Sequence, residues 1–348
     1  MNNRDIDQTP TQLSLDFTSG VGTGHETPFL SSFDYIRSIT SLFQAWSKFS
    51  RGKRSRLDVL VYERSLEENI LELADVLQQG QFQHGPYVPF TIWDPKQRQI
   101  HKATVQDRLI HQAIVSGIEP LFERQFIHDS YSCRKYKGTH AAVNRLRHFL
   151  NQASHNNTQT VYALKCDVKQ FFASVDHKIL VNLLNQQVGD ARTINLLNVV
   201  INSFSDAPGK GIPLGNLTSQ LFANVYLHQL DWFMKHGLRE RFYIRYCDDF
   251  IVLSTDRQHL LDLVEPITRF LQERLALTIH PHKVTVRSWN QGVDFLGYVL
   301  KPHHTVLRHK TKQRALRRVS SLNLSSYLGL CSHADAHELG QLFKTKVF

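Results

Sequence analysis

Residues 241–254 decide the fold and read Arg241-Phe-Tyr-Ile-Arg-Tyr-Cys-Asp-Asp-Phe-Ile-Val-Leu-Ser254. Half of the residues in this run are β-branched or aromatic, which favours strands buried on both faces. Two adjacent acids interrupt it, and they predict two short strands joined by a tight turn. Burying neighbouring carboxylates is costly unless cations or bases compensate them, so a bound divalent cation is one explanation. An exposed hairpin turn, in which Asp is favoured, is the alternative explanation.

A second apolar run also ends in an acid. Val161-Tyr-Ala-Leu-Lys-Cys-Asp167 is a predicted strand, and Val168-Lys-Gln-Phe-Phe172 follows it. Two strands can therefore present Asp167, Asp248 and Asp249 together. Magnesium prefers oxygen ligands and commonly binds one or two carboxylates together with substrate phosphates. A site with two Mg²⁺ ions is thus expected, and the candidate bases that would neutralise phosphate are Lys96, Arg98 and Lys283.

Composition limits the function classes. The 348 residues contain 41 Lys and Arg against 31 Asp and Glu, a net charge of +10, which favours a polyanionic partner. The four cysteines form no CxxC pair, which argues against a zinc ribbon and a disulfide framework. No apolar stretch approaches the roughly 18 to 20 residues that a membrane helix needs, so a cytoplasmic location without membrane contact is expected.

The remaining pattern alternates helical and extended segments. Helical spacing predicts helices, and alternation predicts strands, over separate parts of the chain. A further extended stretch over 87–100 resembles a hairpin, and residues 301–318 hold seven Lys or Arg and no acid. Residues 1–32 are expected to form a flexible tail. The expected helices cover 33–49, 65–79, 105–122, 217–234 and 260–275, and the expected strands cover 159–172, 242–253 and 293–300.

Several ordered segments carry a family resemblance. Tyr246-Cys-Asp-Asp249 resembles the YxDD box of reverse transcriptases, and Leu164-Lys-Cys-Asp-Val-Lys-Gln-Phe-Phe172 resembles their first catalytic-aspartate segment. Between them lies Gly211-Ile-Pro-Leu-Gly-Asn-Leu-Thr-Ser-Gln-Leu-Phe-Ala-Asn-Val-Tyr226, and Phe295-Leu-Gly-Tyr298 follows. Upstream segments at 106–113 and 130–138 extend the resemblance to roughly residues 35–340.

The resemblance implies an α+β right-hand polymerase. Its fingers would span residues 33–160, its palm, built on an antiparallel sheet, residues 161–300, and its short basic helical thumb residues 301–348. The implied metal ligands are Asp167, Asp248, Asp249 and the backbone carbonyl of Val168, with Mn²⁺ as a possible substitute for Mg²⁺.

The resemblance also implies contacts with substrates. The nucleotide-binding residues would be Lys96, Arg98, Phe172, Leu214, Gly215, Asn216, Gln220 and Lys283. The primer end would be held by a turn formed by Phe295, Leu296, Gly297 and Tyr298. Nucleic-acid backbone would be contacted by Arg308, Lys310, Lys312, Arg314, Arg317 and Arg318.

The implied activity is RNA-directed DNA synthesis, with an RNA template, a DNA primer or product and dNTPs as partners. The Gly215-to-Gln220 box resembles the reverse transcriptases of diversity-generating retroelements, which copy a template RNA with errors at adenines and recruit a small accessory protein. Two alternatives remain open at this stage. One is a reverse transcriptase of a bacterial antiphage defence system with a dedicated noncoding RNA, and the other is a nucleic-acid-binding protein with a degenerate catalytic site.

Overall fold

The computed structural model describes residues 31–93 and 96–347. Residues 1–30 of the expected tail therefore lie outside the described residues. Helix α1 begins at Ser32, and the side chain of Ser31 caps it by accepting a hydrogen bond from the Asp34 backbone N–H. Regular structure thus starts before residue 33, where the fingers were expected to begin.

The described part contains helices and strands throughout, which confirms the α+β class. The helices are α1 (Ser32–Arg37), α2 (Ile39–Ser50), α3 (Leu57–Glu63), α4 (Leu66–Gln78), α5 (Val105–Glu123), α6 (Thr139–Ala153), α7 (Phe171–Ser174), α8 (His177–Val188), α9 (Ala191–Asn202), α10 (Leu217–Trp232), α11 (Arg257–Asp262), α12 (Val264–Leu275), α13 (His309–Arg318), α14 (Leu324–Cys331) and α15 (His337–Val347). The strands are β1 (Val88–Ile92), β2 (Arg98–Lys102), β3 (Tyr162–Asp167), β4 (Tyr243–Tyr246), β5 (Asp249–Ser254), β6 (Thr285–Ser288), β7 (Val293–Phe295), β8 (Tyr298–Leu300) and β9 (Thr305–Leu307).

The central sheet is antiparallel, in the order β4-β5-β3-β6. Successive side chains of a strand point to opposite faces, and both faces of this sheet are covered. Leu164 and Val252 pack into one core with α5, α8 and α10, whereas Ala163 and Ile251 pack into a second core with α6. Burial on both faces explains why β3 and β5 are nearly continuous hydrophobic runs.

A second sheet, in the order β7-β8-β9, precedes the basic helix α13. The single strand expected over 293–300 is wrong, because Leu296 and Gly297 have φ angles of 51° and 94° and form the turn of a hairpin. The expected boundary between palm and thumb at residue 300 also falls inside this sheet, since β8 pairs with β9.

Two expected helices are each divided in two. The helix over 33–49 breaks at Ser38, whose ψ angle of 137° is extended and whose hydroxyl caps α2. The helix over 260–275 breaks at Leu263. Pro266 has no N–H to donate to the Asp262 carbonyl, and its ring would clash with that carbonyl in a continuous helix. The strand expected over 159–172 ends at Asp167, and Phe172 belongs to α7. Within the described ranges, no helix combines the length and apolar character that crossing a membrane requires.

Candidate active site

Three acidic residues meet at one end of the central sheet. Asp167 ends β3 and lies directly opposite Asp249, which begins β5. Opposed residues of an antiparallel pair point to the same face, with their Cβ atoms about 5 Å apart. Asp248 lies in the turn between β4 and β5, and its carbonyl accepts a hydrogen bond of 3.3 Å from the Val168 backbone N–H. The sheet register therefore brings the three expected catalytic acids together.

Two lysines pair with these acids. Lys283 Nζ lies 2.7 Å from Asp167 Oδ1, and Lys165 Nζ lies 3.1 Å from Asp249 Oδ2. Lys165 Nζ also donates to the Asp294 carbonyl at 3.0 Å. Lys283 was expected near the phosphates, whereas Lys165 was missed. Its position two residues before Asp167 was the available signal, because residues two apart on a strand share a face.

Burial makes two of the acids hard to ionise. It raises the pKa of Asp249 to about 6, although the positive charge of Lys165 opposes the rise. It also raises the pKa of Asp248, and the negative charge of Asp167 adds to that effect. Asp249 Oδ1 is buried and has no hydrogen-bond partner among the described residues. Buried polar atoms are normally paired, so this orphan oxygen indicates a missing electropositive partner.

The acids fit a hard divalent cation. Carboxylate oxygens suit such ions, which complete their shells with water and substrate phosphate rather than with a closed protein cage. Within the described part of the chain, no group of three or more His, Cys, Asp or Glu is arranged to hold a metal ion as it stands. The oxygen donors present are the three carboxylates and the main chain at Val168.

A cleft of about 340 Å³ opens at this end of the sheet. Basic side chains outnumber acidic ones on its walls, which suits a polyanion such as a triphosphate. Of the three expected phosphate contacts, Lys96 and Lys283 line the cleft, whereas Arg98 lies exposed on β2 and is not among the described residues of its wall. The charged residues of the wall are Lys96, Lys165, Asp167, Asp249, Lys283, Arg287, Asp294 and Arg308.

The box expected to contact the new base pair lines a separate cavity of about 320 Å³. Gly215, Asn216 and Gln220 face this cavity together with the basic residues Lys53, Arg56, Lys102 and Arg108. The box is docked on β2: the Leu214 carbonyl accepts from the His101 N–H at 3.2 Å, and the Asn216 amide donates to the His101 carbonyl at 3.4 Å. The structure thus links the box to the β1-β2 hairpin.

Phe172 and the expected primer-grip residues are mostly packed. Phe172 is half-buried in α7 and meets Phe171 edge to face, with 5.3 Å between ring centroids. Phe295 and Tyr298 are fully buried, and the Tyr298 hydroxyl donates to the Leu330 carbonyl at 3.2 Å. Leu296 and Gly297 are half-buried in the turn, so this part of the segment remains open to a partner.

The expected backbone-contacting residues are concentrated on α13 and just before it. Arg308 lies in the cleft wall and pairs with Asp294, while Lys310, Arg317 and Arg318 are exposed. Lys312 and Arg314 are half-buried. The helix has no acidic residue, so its surface attracts phosphate.

Comparison with known proteins identifies the family. Residues 94–300, more than half of the chain, match the family described as reverse transcriptase (RNA-dependent DNA polymerase). The chain is 23% identical over 292 residues to the protein YkfC of Escherichia coli K12, covering 72% of this chain and 74% of YkfC. It is 22% identical over 324 residues to the group II intron-encoded protein LtrA of Lactococcus lactis subsp. cremoris, covering 72% of this chain.

The chain spans about half of LtrA, with 53% covered. Among solved structures, apo telomerase from Candida tropicalis has a similar fold, with a TM-score of 0.50 and 12% identity over 70% of this chain and 51% of that chain. This fold likeness agrees with the right-hand architecture expected from the sequence. Reverse transcriptases in general use divalent metals and have nucleic-acid partners. The chain belongs to the reverse transcriptase family, and its enzyme class is RNA-directed DNA polymerase.

Proposed function

We propose that this chain extends a primer with dNTPs on an RNA template by a two-metal mechanism. The observation that carries the proposal is the convergence of Asp167, Asp248 and Asp249 at the end of the sheet, with one buried carboxylate oxygen lacking a partner among the described residues. Two Mg²⁺ ions, or Mn²⁺ in their place, would supply the positive charge that activates the primer hydroxyl and stabilises the leaving pyrophosphate. The three carboxylates and the Val168 carbonyl would hold them.

The lysines at the site have distinct proposed roles. Lys283 pairs with Asp167 at 2.7 Å from an accessible position, so it can turn to a triphosphate when a nucleotide enters. Lys96 reaches the same cleft from the β1-β2 hairpin and would add charge at the phosphates, as Arg98 would after a movement of the hairpin. Lys165 is held between Asp249 and the Asp294 carbonyl, which orients the Asp249 carboxylate.

The remaining expected residues would surround the nucleotide and the duplex. The ring of Phe172 would collide with a ribose 2′-hydroxyl and so favour deoxynucleotides. Leu214, Gly215, Asn216 and Gln220 would lie against the new base pair, where a glycine lets backbone approach a base closely. The turn between Phe295 and Tyr298 would hold the primer end, and α13 would contact the phosphate backbone of the duplex.

For the biological role we propose error-prone cDNA synthesis in a diversity-generating retroelement, with a template RNA and a small accessory protein as partners. This rests on the form of the Gly215-to-Gln220 box, Gly-Asn-Leu-Thr-Ser-Gln. Sequencing cDNA made on a defined RNA template tests it. Substitutions concentrated opposite template adenines are expected, whereas evenly low errors, together with a tightly co-purifying noncoding RNA, would favour an antiphage defence role instead.

The catalytic proposal is tested by dNTP incorporation on a primed RNA template with Mg²⁺. Asp167→Asn and Asp249→Asn remove one charge each with little change in shape, and incorporation by both is expected to fall by about 10³-fold or more, the scale of losing a group that acts only in the transition state. Glu273→Gln, an exposed change on α12, is the matched control and should leave the rate unchanged. Equal, measurable rates in the unmodified chain and all three variants would refute the assignment of catalysis to these acids. No incorporation by any of the four proteins would leave only a nucleic-acid-binding role.

A further inference from the structure

One buried ion pair lies directly behind the acidic turn. Arg245 and Asp231 are both 0% exposed, and their contact is bidentate, with Arg245 Nε and Nη2 at 2.7 and 2.6 Å from the two Asp231 oxygens. The Tyr243 hydroxyl donates to the same carboxylate at 2.8 Å. Asp231 lies on α10 and Arg245 on β4, so the pair joins the helix to the strand that leads into the turn.

The third nitrogen of the guanidinium contacts the turn itself. Arg245 Nη1 donates to the Cys247 carbonyl at 3.0 Å and lies 3.5 Å from Asn224 Oδ1 on α10. Cys247 has a φ angle of 54°, an unfavourable conformation for a non-glycine residue that persists only where the surrounding structure holds it. Cys247 immediately precedes Asp248. The guanidinium therefore fixes a strained residue next to a proposed metal ligand.

The main chain of Arg245 is held as firmly as its side chain. Its N–H donates to the Asp129 carbonyl, and its carbonyl accepts from the Tyr131 N–H, both at 2.9 Å. Buried ion pairs add little net stability compared with apolar residues of similar volume. Stability alone therefore does not explain why the Arg245 guanidinium is buried with one N–H donating to the Cys247 carbonyl.

We propose that Arg245, oriented by Asp231, is a positioning residue that holds the Cys247 carbonyl and thereby fixes Asp248 beside Asp167 for metal binding. This inference rests on the proposed function, because it assumes that Asp248 binds metal. It predicts that loosening the guanidinium weakens metal binding and catalysis, without weakening the grip on primer and template.

Arg245→Lys is the main test. A lysine keeps the charge and can reach Asp231, but its single nitrogen cannot also hold Cys247 in the fork geometry of a guanidinium. The kcat is expected to fall about 10- to 100-fold, as for small displacements of reacting groups. The half-saturating Mn²⁺ concentration is expected to rise about 10-fold or more, as when an outer contact to a metal ligand is lost. The Kd for primer–template should not change.

Metal binding is measured without turnover. Free Mn²⁺ is followed by electron paramagnetic resonance during titration of protein bound to a dideoxy-terminated primer on RNA, with a dNTP present. Tyr243→Phe is the matched control, because it removes a hydrogen bond to Asp231 and leaves the contact with Cys247 intact. Its Mn²⁺ affinity and kcat should equal those of the unmodified chain.

A second variant covers the risk that Arg245→Lys does not fold. Asp231→Leu with Arg245→Met in the Tyr243→Phe background replaces the whole cluster with apolar groups, which usually preserves folding. It too should lose Mn²⁺ affinity relative to Tyr243→Phe. Mn²⁺ binding and kcat equal to those of the unmodified chain in either folded variant would overturn the inference. Failure of both variants to fold would also overturn it, because the Arg245–Asp231 pair would then be required for folding. Asp248→Asn separates the two proposals: if it binds Mn²⁺ and works normally, the proposed function fails as well.

Discussion

Gly215 is the position at which one methyl group should separate the β1-β2 hairpin from the polymerase box. Its φ angle of +102° is strained for any other residue, and an added Cβ would lie 2.6 Å from Ile100 Cγ2 on β2. Gly215→Ala therefore carries two costs. The unfavourable backbone conformation contributes about 1–2 kcal/mol, and overpacking against Ile100 contributes about 1–3 kcal/mol more.

Gly209→Ala separates these two costs. Gly209 has a φ angle of +70°, and a Cβ there would meet no atom of the described chain within 4 Å. It should therefore lose only the backbone contribution of about 1–2 kcal/mol. Ile100→Ala removes the Cγ2 methyl, so adding it to Gly215→Ala should recover the overpacking contribution, a coupling of about 1–3 kcal/mol.

The assay is urea unfolding of the four variants and the unmodified chain, with equal m-values required for comparison. Gly215→Ala should also raise the KM for primed RNA, because relief of the clash moves β2 and the bonds that His101 makes with Leu214 and Asn216. Equal free energies of unfolding for Gly215→Ala and Gly209→Ala, with no coupling to Ile100, would refute the close approach between Gly215 and Ile100.

Three further predictions concern single side chains. Burial and the nearby charge of His84 lower the pKa of His111 to about 3, so the unfolded chain binds this proton first as pH falls. The free energy of unfolding should therefore decrease by roughly 2 kcal/mol between pH 6.5 and 5. Urea unfolding at both pH values should show this decrease, and His111→Gln should remove most of it. Phe172→Ala should reduce the preference for dNTPs over rNTPs by about 10- to 200-fold, measured as the ratio of kcat/KM values. Lys283→Met should raise the KM for dNTP in steady-state incorporation, while the free energy of unfolding changes by less than about 1 kcal/mol because the pair with Asp167 is accessible.

Much of the fold followed from local pattern. The interrupted strand at 241–254 predicted the β4-β5 hairpin, and the acid at the end of β3 predicted a shared edge, because strand alternation and burial leave little freedom in register. The breaks at Ser38 and Leu263 were missed because each depends on one capping or proline position within an otherwise helical pattern. The pattern over 293–300 predicted one continuous strand because the strands on either side of the turn at Leu296 and Gly297 have only three residues each, whereas the family resemblance implied the turn.

Site residues whose chemical type and strand position indicate their role could be predicted from the sequence. Contacts that depend on how helices pack on the sheet could not. The three acids were named from the sequence, and the register brings them together. Lys165 had a signal in its strand position. Arg245 had one as the single charged residue in the β-forming stretch 242–247. What the sequence could not specify is that Arg245 would meet Asp231 on α10, because that contact depends on how the helix packs on the sheet.

Single-turnover incorporation of one dNTP on a primed RNA template, compared between the unmodified chain and Asp248→Asn in the presence of Mg²⁺, tests the catalytic role of the acids most directly. We expect rapid incorporation by the unmodified chain and a loss of at least about 10³-fold in the variant, with primer–template binding retained. Incorporation by Asp248→Asn at the unmodified rate would contradict the claim that these acids perform the chemistry.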